Sequence, residues 1–81
     1  MLFNGSEELI VIYQNGDKGI LKSCRIDNEE RIFTSDSTEG LNIGDRLIKN
    51  LQNGSKREYL IKIVKDGINM SGHREIKVQQ I

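Results

Sequence analysis

The chain has 81 residues, with twelve Lys and Arg balanced by twelve Asp and Glu; 36% of residues are hydrophobic, 5% are aromatic, and Trp is absent. That composition predicts one domain, residues 1–81, with a thin core and little material for a walled small-molecule pocket, which needs on the order of 300 Å³. Zero net charge excludes bulk attraction to nucleic acid or an anionic membrane, and a single cysteine, Cys24, excludes an intramolecular disulfide or a thiolate metal cluster.

Leu2-Phe3 with Ser6-Glu7-Glu8 fits one helical turn or a plug for a barrel end. Glu8 to Gln14 predicts a first strand, with Leu9, Val11 and Tyr13 on one face and Ile10 and Ile12 on the other. Both faces are apolar, as in a central strand. Asn15-Gly16-Asp17 is a hairpin signal. Gly19 to Ile26 reads as the return strand, with Ile20, Cys24 and Ile26 facing one way; Lys22 interrupts that stripe and predicts a bulge or an edge position. Asp27-Asn28-Glu29-Glu30 is a second turn, and Arg31 to Ser35 a short third strand. The polar, acidic stretch from Ser35 to Gly40 is the longest loop.

Leu41-Asn42-Ile43-Gly44-Asp45 reads as a strand entering a tight turn. Gly44 supplies the unusual backbone angle there, and the Asp45 carboxylate accepts hydrogen bonds from turn N–H groups. Arg46 to Gln52 follows. Ile43, Leu47, Ile48 and Leu51 also match helical spacing, but Gly44 and Asn53-Gly54 leave room for only about two turns, so a strand is preferred. Lys56 to Lys65 is the most regular strand: Arg57, Tyr59, Ile61 and Ile63 point inward, while Lys56, Glu58, Leu60, Lys62 and Val64 are mostly wet. Asp66-Gly67 is another turn. His73 to Gln79 closes the chain, with Ile76 and Val78 inward and Lys77 outward. The whole predicts an all-β fold, a small barrel-like or strongly curled antiparallel sheet of five or six short strands.

Chemistry-bearing constellations are absent from the sequence. One His and one Cys cannot build a zinc site, and Asp27, Glu29 and Glu30 lack calcium-loop spacing and read as a solvated turn. His73 has no nucleophile or orienting partner at a recognisable spacing, and it reads as a strand-start residue bonded to backbone. Cys24 reads as a small core residue. No catalytic residue, metal or cofactor is therefore expected. Residues 1–40 carry a net charge of −4 and residues 41–81 a net charge of +4. Either the halves pair across the sheet, or the basic half presents a binding face built from Lys56, Arg57, Lys62, Lys65, His73, Arg74 and Lys77. Glu58 and Glu75 interrupt that face.

Gly44-Asp45-Arg46-Leu47, Leu51, Asn53-Gly54 and Tyr59, with the tail His73-Arg74-Glu75-Ile76-Lys77-Val78 and the hairpin at Asn15-Gly16, resemble a small uncharacterised β domain of bacterial and prophage-encoded proteins. That family runs Gly-Asp, an apolar and a basic residue, Leu-Pro-Asn-Gly, a Tyr-centred strand, and a closing His-aromatic-polar-Ile-Lys-Val. Here Gln52 stands for the Pro, Lys49 for an Arg and Arg74 for the aromatic, and the stretch before His73 is shorter. The resemblance implies a compact module found near mobile elements and often attached to other segments. It implies no activity.

The resulting expectation is a non-catalytic interaction or structural module, cytoplasmic and without a membrane segment. It would recognise a protein partner or its own copies through a sheet edge or loop, in a prophage or defence setting. The alternative is a nucleic-acid-binding small barrel using the basic C-terminal half.

Overall fold

The computed structural model describes residues 6–36, 38–65 and 73–81. Six antiparallel strands form a closed barrel: β1 (Glu7–Ile12), β2 (Lys18–Asp27), β3 (Arg31–Thr34), β4 (Arg46–Asn50), β5 (Lys56–Lys65) and β6 (Arg74–Gln80). Their order around the barrel is β1-β2-β3-β6-β5-β4, with β4 hydrogen-bonded back to β1. The two three-stranded meanders are joined along two seams, β3 to β6 and β1 to β4. Leu2-Phe3 and the Asp66-Gly67 turn lie outside the described residues. Among the described residues, no helix is long and apolar enough to cross a membrane.

Alternation places Leu9, Val11, Leu21, Cys24, Ile32, Leu47, Tyr59, Ile61, Ile76 and Val78 inside, all buried. Two bulges shift this alternation. On β2, the three steps from Leu21 to Cys24 span what β1 covers in two, from Leu9 to Glu7, and Ser23 takes φ 56°. The expected common face of Ile20, Cys24 and Ile26 is therefore corrected: Cys24 and Ile26 turn to the core along with Leu21, while Ile20 stands 50% exposed. Lys22 does mark a bulge, but not an edge, since the closed barrel has none. On β5, Lys62 is the extra residue between Ile61 (opposite Val78) and Ile63 (opposite Lys77). Ile63, expected inside, turns out to 42% exposure, while Val64, expected wet, packs against the core.

Asn-Gly turns the chain twice by the same device. Tyr13 N–H bonds Asp17 O and Gly16 N–H bonds Tyr13 O; Leu51 N–H bonds Ser55 O and Gly54 N–H bonds Leu51 O. In both, the Asn side chain (Asn15, Asn53) accepts the N–H two residues on. Each is a three-residue loop ending in a left-handed glycine, at φ +92° and +87°. The β2–β3 turn differs, with Asn28 and Glu29 both at positive φ.

The remaining connection controls the architecture. In a ring of six, β3 and β4 lie three places apart, across from each other. The chain between them must therefore span the barrel mouth. The expected strand at Leu41-Asn42-Ile43 is replaced by irregular chain, with Leu41 buried as part of the core. Asp45 does what its sequence position implies. Its side chain is buried, and its two oxygens accept the N–H groups of Gln14 (3.1 Å) and Asn42 (3.0 Å). Gly44, at φ +98°, lies so close to the Gln14 amide that a side chain there would collide with it. Below the loop, the Arg74 guanidinium donates to the carbonyls of Asp36 (3.2 Å) and Glu39 (2.8 Å). The Asp36 carboxylate accepts Lys22 N–H at the β2 bulge (3.0 Å) and Thr38 N–H (2.9 Å).

Hydrogen bonds to a buried carboxylate contribute roughly 1.5–3 kcal/mol each. Asp45→Ala should lower the unfolding free energy in urea by about 2–3 kcal/mol, against less than about 0.5 kcal/mol for the exposed Glu8→Ala. Equal midpoints for the two variants would show that the loop does not depend on this carboxylate.

Candidate functional site

The charges are segregated by architecture as well as by sequence half. All twelve Lys and Arg lie within the six strands, with only five acids: Glu7, Glu8, Asp27, Glu58 and Glu75. Six further acids occupy the described connections, and Asp66 lies outside the described residues. The acids of the connections suit turns because their oxygens accept local N–H groups, as Asp36 and Asp45 do. The barrel wall is thus cationic and its ends are acidic. Two ion pairs do join the sequence halves, Lys49–Glu7 (2.8 Å) and Arg57–Glu29 (2.6 Å), while Arg46–Glu58 (2.7 Å) lies within the second half.

The candidate binding residues are divided by the fold. Lys62, Lys65, Lys77 and His73 gather on the β5–β6 side of the wall. Lys62 is exposed at the bulge, Lys65 pairs across from Glu75, and Lys77 pairs across from Arg31 and Ile63. Lys56 sits at the other end of β5, opposite Asn50. Arg57 faces the barrel end and donates to Glu29. Arg74 is only 7% exposed and holds the crossing loop from beneath, so it belongs to the interior rather than to a binding face.

The same side of the wall carries three residues that sequence reasoning left out: Arg25, Arg31 and Phe33. Ile32 and Thr34 are fully buried, so the intervening Phe33 points outward. Its cross-strand neighbours are Arg25 on β2 and Glu75 on β6. The Arg25 guanidinium carbon lies 5.1 Å from the Phe33 ring centroid, and the His73 ring stands edge-on at 5.5 Å and 78°. One register step along, Asp27, Arg31, Lys77 and Ile63 form the adjacent row. A groove of about 520 Å³ opens where Arg31 and Lys77 meet the β2–β3 turn. Strict alternation about Ile32 was the available signal for Phe33; its cationic neighbours required the strand register.

The diametrically opposite wall, centred on β1, carries one apolar row, next to a row in which Ile12 stands between Lys18 and Arg46. Ile20, Ile10 and Ile48 align across β2, β1 and β4.

At the far end of the barrel, the Tyr59 hydroxyl donates to Glu29, which also accepts from Arg57 (2.6 Å). Burial, reinforced by the bond to Glu29, pushes the Tyr59 hydroxyl up to about 12, so it stays protonated. Burial likewise pushes the Cys24 thiol up to about 11, and its Sγ lies 3.4 Å from the Leu21 carbonyl it bonds. This is the core role expected of Cys24, since a thiol held protonated is a poor nucleophile. Among the described residues, no group of three His, Cys, Asp or Glu is placed to hold a metal ion.

Protein-family models, curated proteins and solved structures give no match to this chain.

Both raised groups bind their protons more tightly in the native state than in the unfolded chain. Their stabilisation is complete below the ordinary values of 9.0 and 10.0, and it is lost as pH rises through about 11 for Cys24 and about 12 for Tyr59. The melting temperature should therefore fall as pH rises from 9.0 towards 12. Tyr59→Phe should flatten the upper part of that fall. An identical alkaline profile in the variant would remove Tyr59 as its source.

Proposed function

We propose that this domain is a non-catalytic binding module whose ligand is nucleic acid, held against the cationic side of the wall formed by β2, β3, β6 and β5. The observation that carries the reading is the placement of every Lys and Arg on strands while most acids lie elsewhere. A zero total charge therefore conceals a wall with a strong positive excess. Four of the twelve cations are turned inward or held in ion pairs, as Arg74, Lys49, Arg57 and Arg46; the other eight share the outer wall with Glu8, Asp27 and Glu75. A polyanion meeting such a surface releases counterions, and its affinity then depends steeply on salt.

A labelled single-stranded oligonucleotide should bind at low salt and lose affinity as salt rises. The log–log slope should lie near about −3 if about four phosphates are neutralised. Arg31→Gln with Lys77→Gln should reduce that slope by about 1.4. An absence of binding at low salt would defeat the proposal.

The row Ile20–Ile10–Ile48 favours a second reading, recognition of another copy of the chain through the β1 wall. Closure removes the sheet edge as a route for such pairing, so contact would be face to face. Sedimentation of the wild type should then show a concentration-dependent dimer that Ile20→Lys abolishes. A wild type that stays monomeric at high concentration would reject this reading.

A further inference from the structure

Nucleic acid can meet this wall as a duplex, through phosphates alone, or as a single strand, through phosphates and base faces. The two modes differ at Phe33. The Phe33 ring is half-buried on the outer wall rather than in the core, covered in part by Arg25 and His73, and among the described residues it is the only Phe or Tyr on this wall: Tyr59 is buried, and Tyr13 packs against the core. Cations surround it. Arg25 stacks at 5.1 Å, and Arg31 and Lys77 lie one register step away. His73 meets the ring edge-on at 5.5 Å, which fixes its orientation. Two carboxylates, Asp27 and Glu75, lie in the same two rows and limit the charge excess there. Paired bases in a duplex are stacked on each other and hidden from a ring on a convex wall, whereas unpaired bases are available to stack on it.

We infer that Phe33 and the Arg25 guanidinium that lies over its ring together form a stacking platform for unpaired bases, and that the nucleic acid recognised is single-stranded. This rests on the proposed nucleic-acid reading. Arg31 and Lys77 take the flanking phosphates. Stacking of this kind tolerates any base, so the site selects strandedness rather than sequence.

The chain has no Trp, so Phe33→Trp places a single indole reporter on the platform. Its fluorescence should be quenched when an oligothymidylate is added. In wild-type titrations followed by anisotropy, the oligothymidylate should bind on the order of tenfold more tightly than a duplex of equal length. Phe33→Ala should weaken the single-stranded complex on the order of tenfold and leave the duplex complex unchanged. Phe33→Leu should behave as Phe33→Ala does, while circular dichroism confirms the native barrel in each variant. Equal affinity for the two ligands, an unquenched indole in a Phe33→Trp protein that still binds, or equal loss for both ligands on Phe33→Ala would overturn the platform and leave the cationic wall standing. Failure of the wild type to bind either ligand would overturn both.

Discussion

Because β3 and β4 stand on opposite sides of the ring, the chain between them has to traverse the barrel mouth, and the architecture depends on how that crossing is held. The other four connections join strands that are neighbours in the ring. A segment laid over an apolar interior carries backbone groups that water cannot fully reach. The structure supplies their partners from below and from the sides. Arg74 donates to two of the loop's carbonyls, and Asp36 and Asp45 accept N–H groups from the loop and from the elements it touches. Leu41 fills the opening. Buried charge is normally costly, and here it is accepted because it satisfies main chain that has no strand to pair with.

The strands themselves were legible in the sequence. Alternation of apolar and polar residues located all six to within a residue or two, and turn chemistry correctly placed Gly44 and Asp45. Face assignment failed at Ile20 and Ile63 for a common reason. Each lies beside a bulge, at Ser23 and at Lys62, and one extra residue moves every later side chain to the opposite face. Leu41-Asn42-Ile43 failed differently, because an apolar residue that plugs a mouth leaves the same mark in a sequence as one in a strand. The candidate binding face was only partly readable. Lys62, Lys65 and Lys77 belong to neighbouring strands near each other in sequence, with His73 just before β6, whereas Arg25, Arg31 and Phe33 join them through the β3–β6 seam, which only register reveals. Arg74 had the composition of a surface residue and the duty of an interior one.

Charge segregation gives the barrel a polarity that its net charge hides. Lys and Arg tolerate strand positions because their long stems lie along the wall with the charge in water. Asp and Glu concentrate where turns offer N–H groups. The outcome is a molecule with two unlike sides. The apolar row on β1 and the cationic, aromatic region around β6 face away from each other, so occupation of one leaves the other open.

The two seams also bear on how the chain reaches its native state. Neither meander encloses an interior alone, and the contacts that join them, Ile10 with Ile48 and Ile32 with Ile76, link residues far apart in sequence. Such remote pairing must overcome loop-closure entropy before burial repays it, a cost that slows the folding of β barrels relative to helical bundles of similar size. The sixth strand completes the ring by pairing with both β3 and β5. During synthesis those two strands therefore emerge with bare hydrogen-bonding groups, and the nascent barrel stays open to sticking to other chains until β6 clears the ribosome.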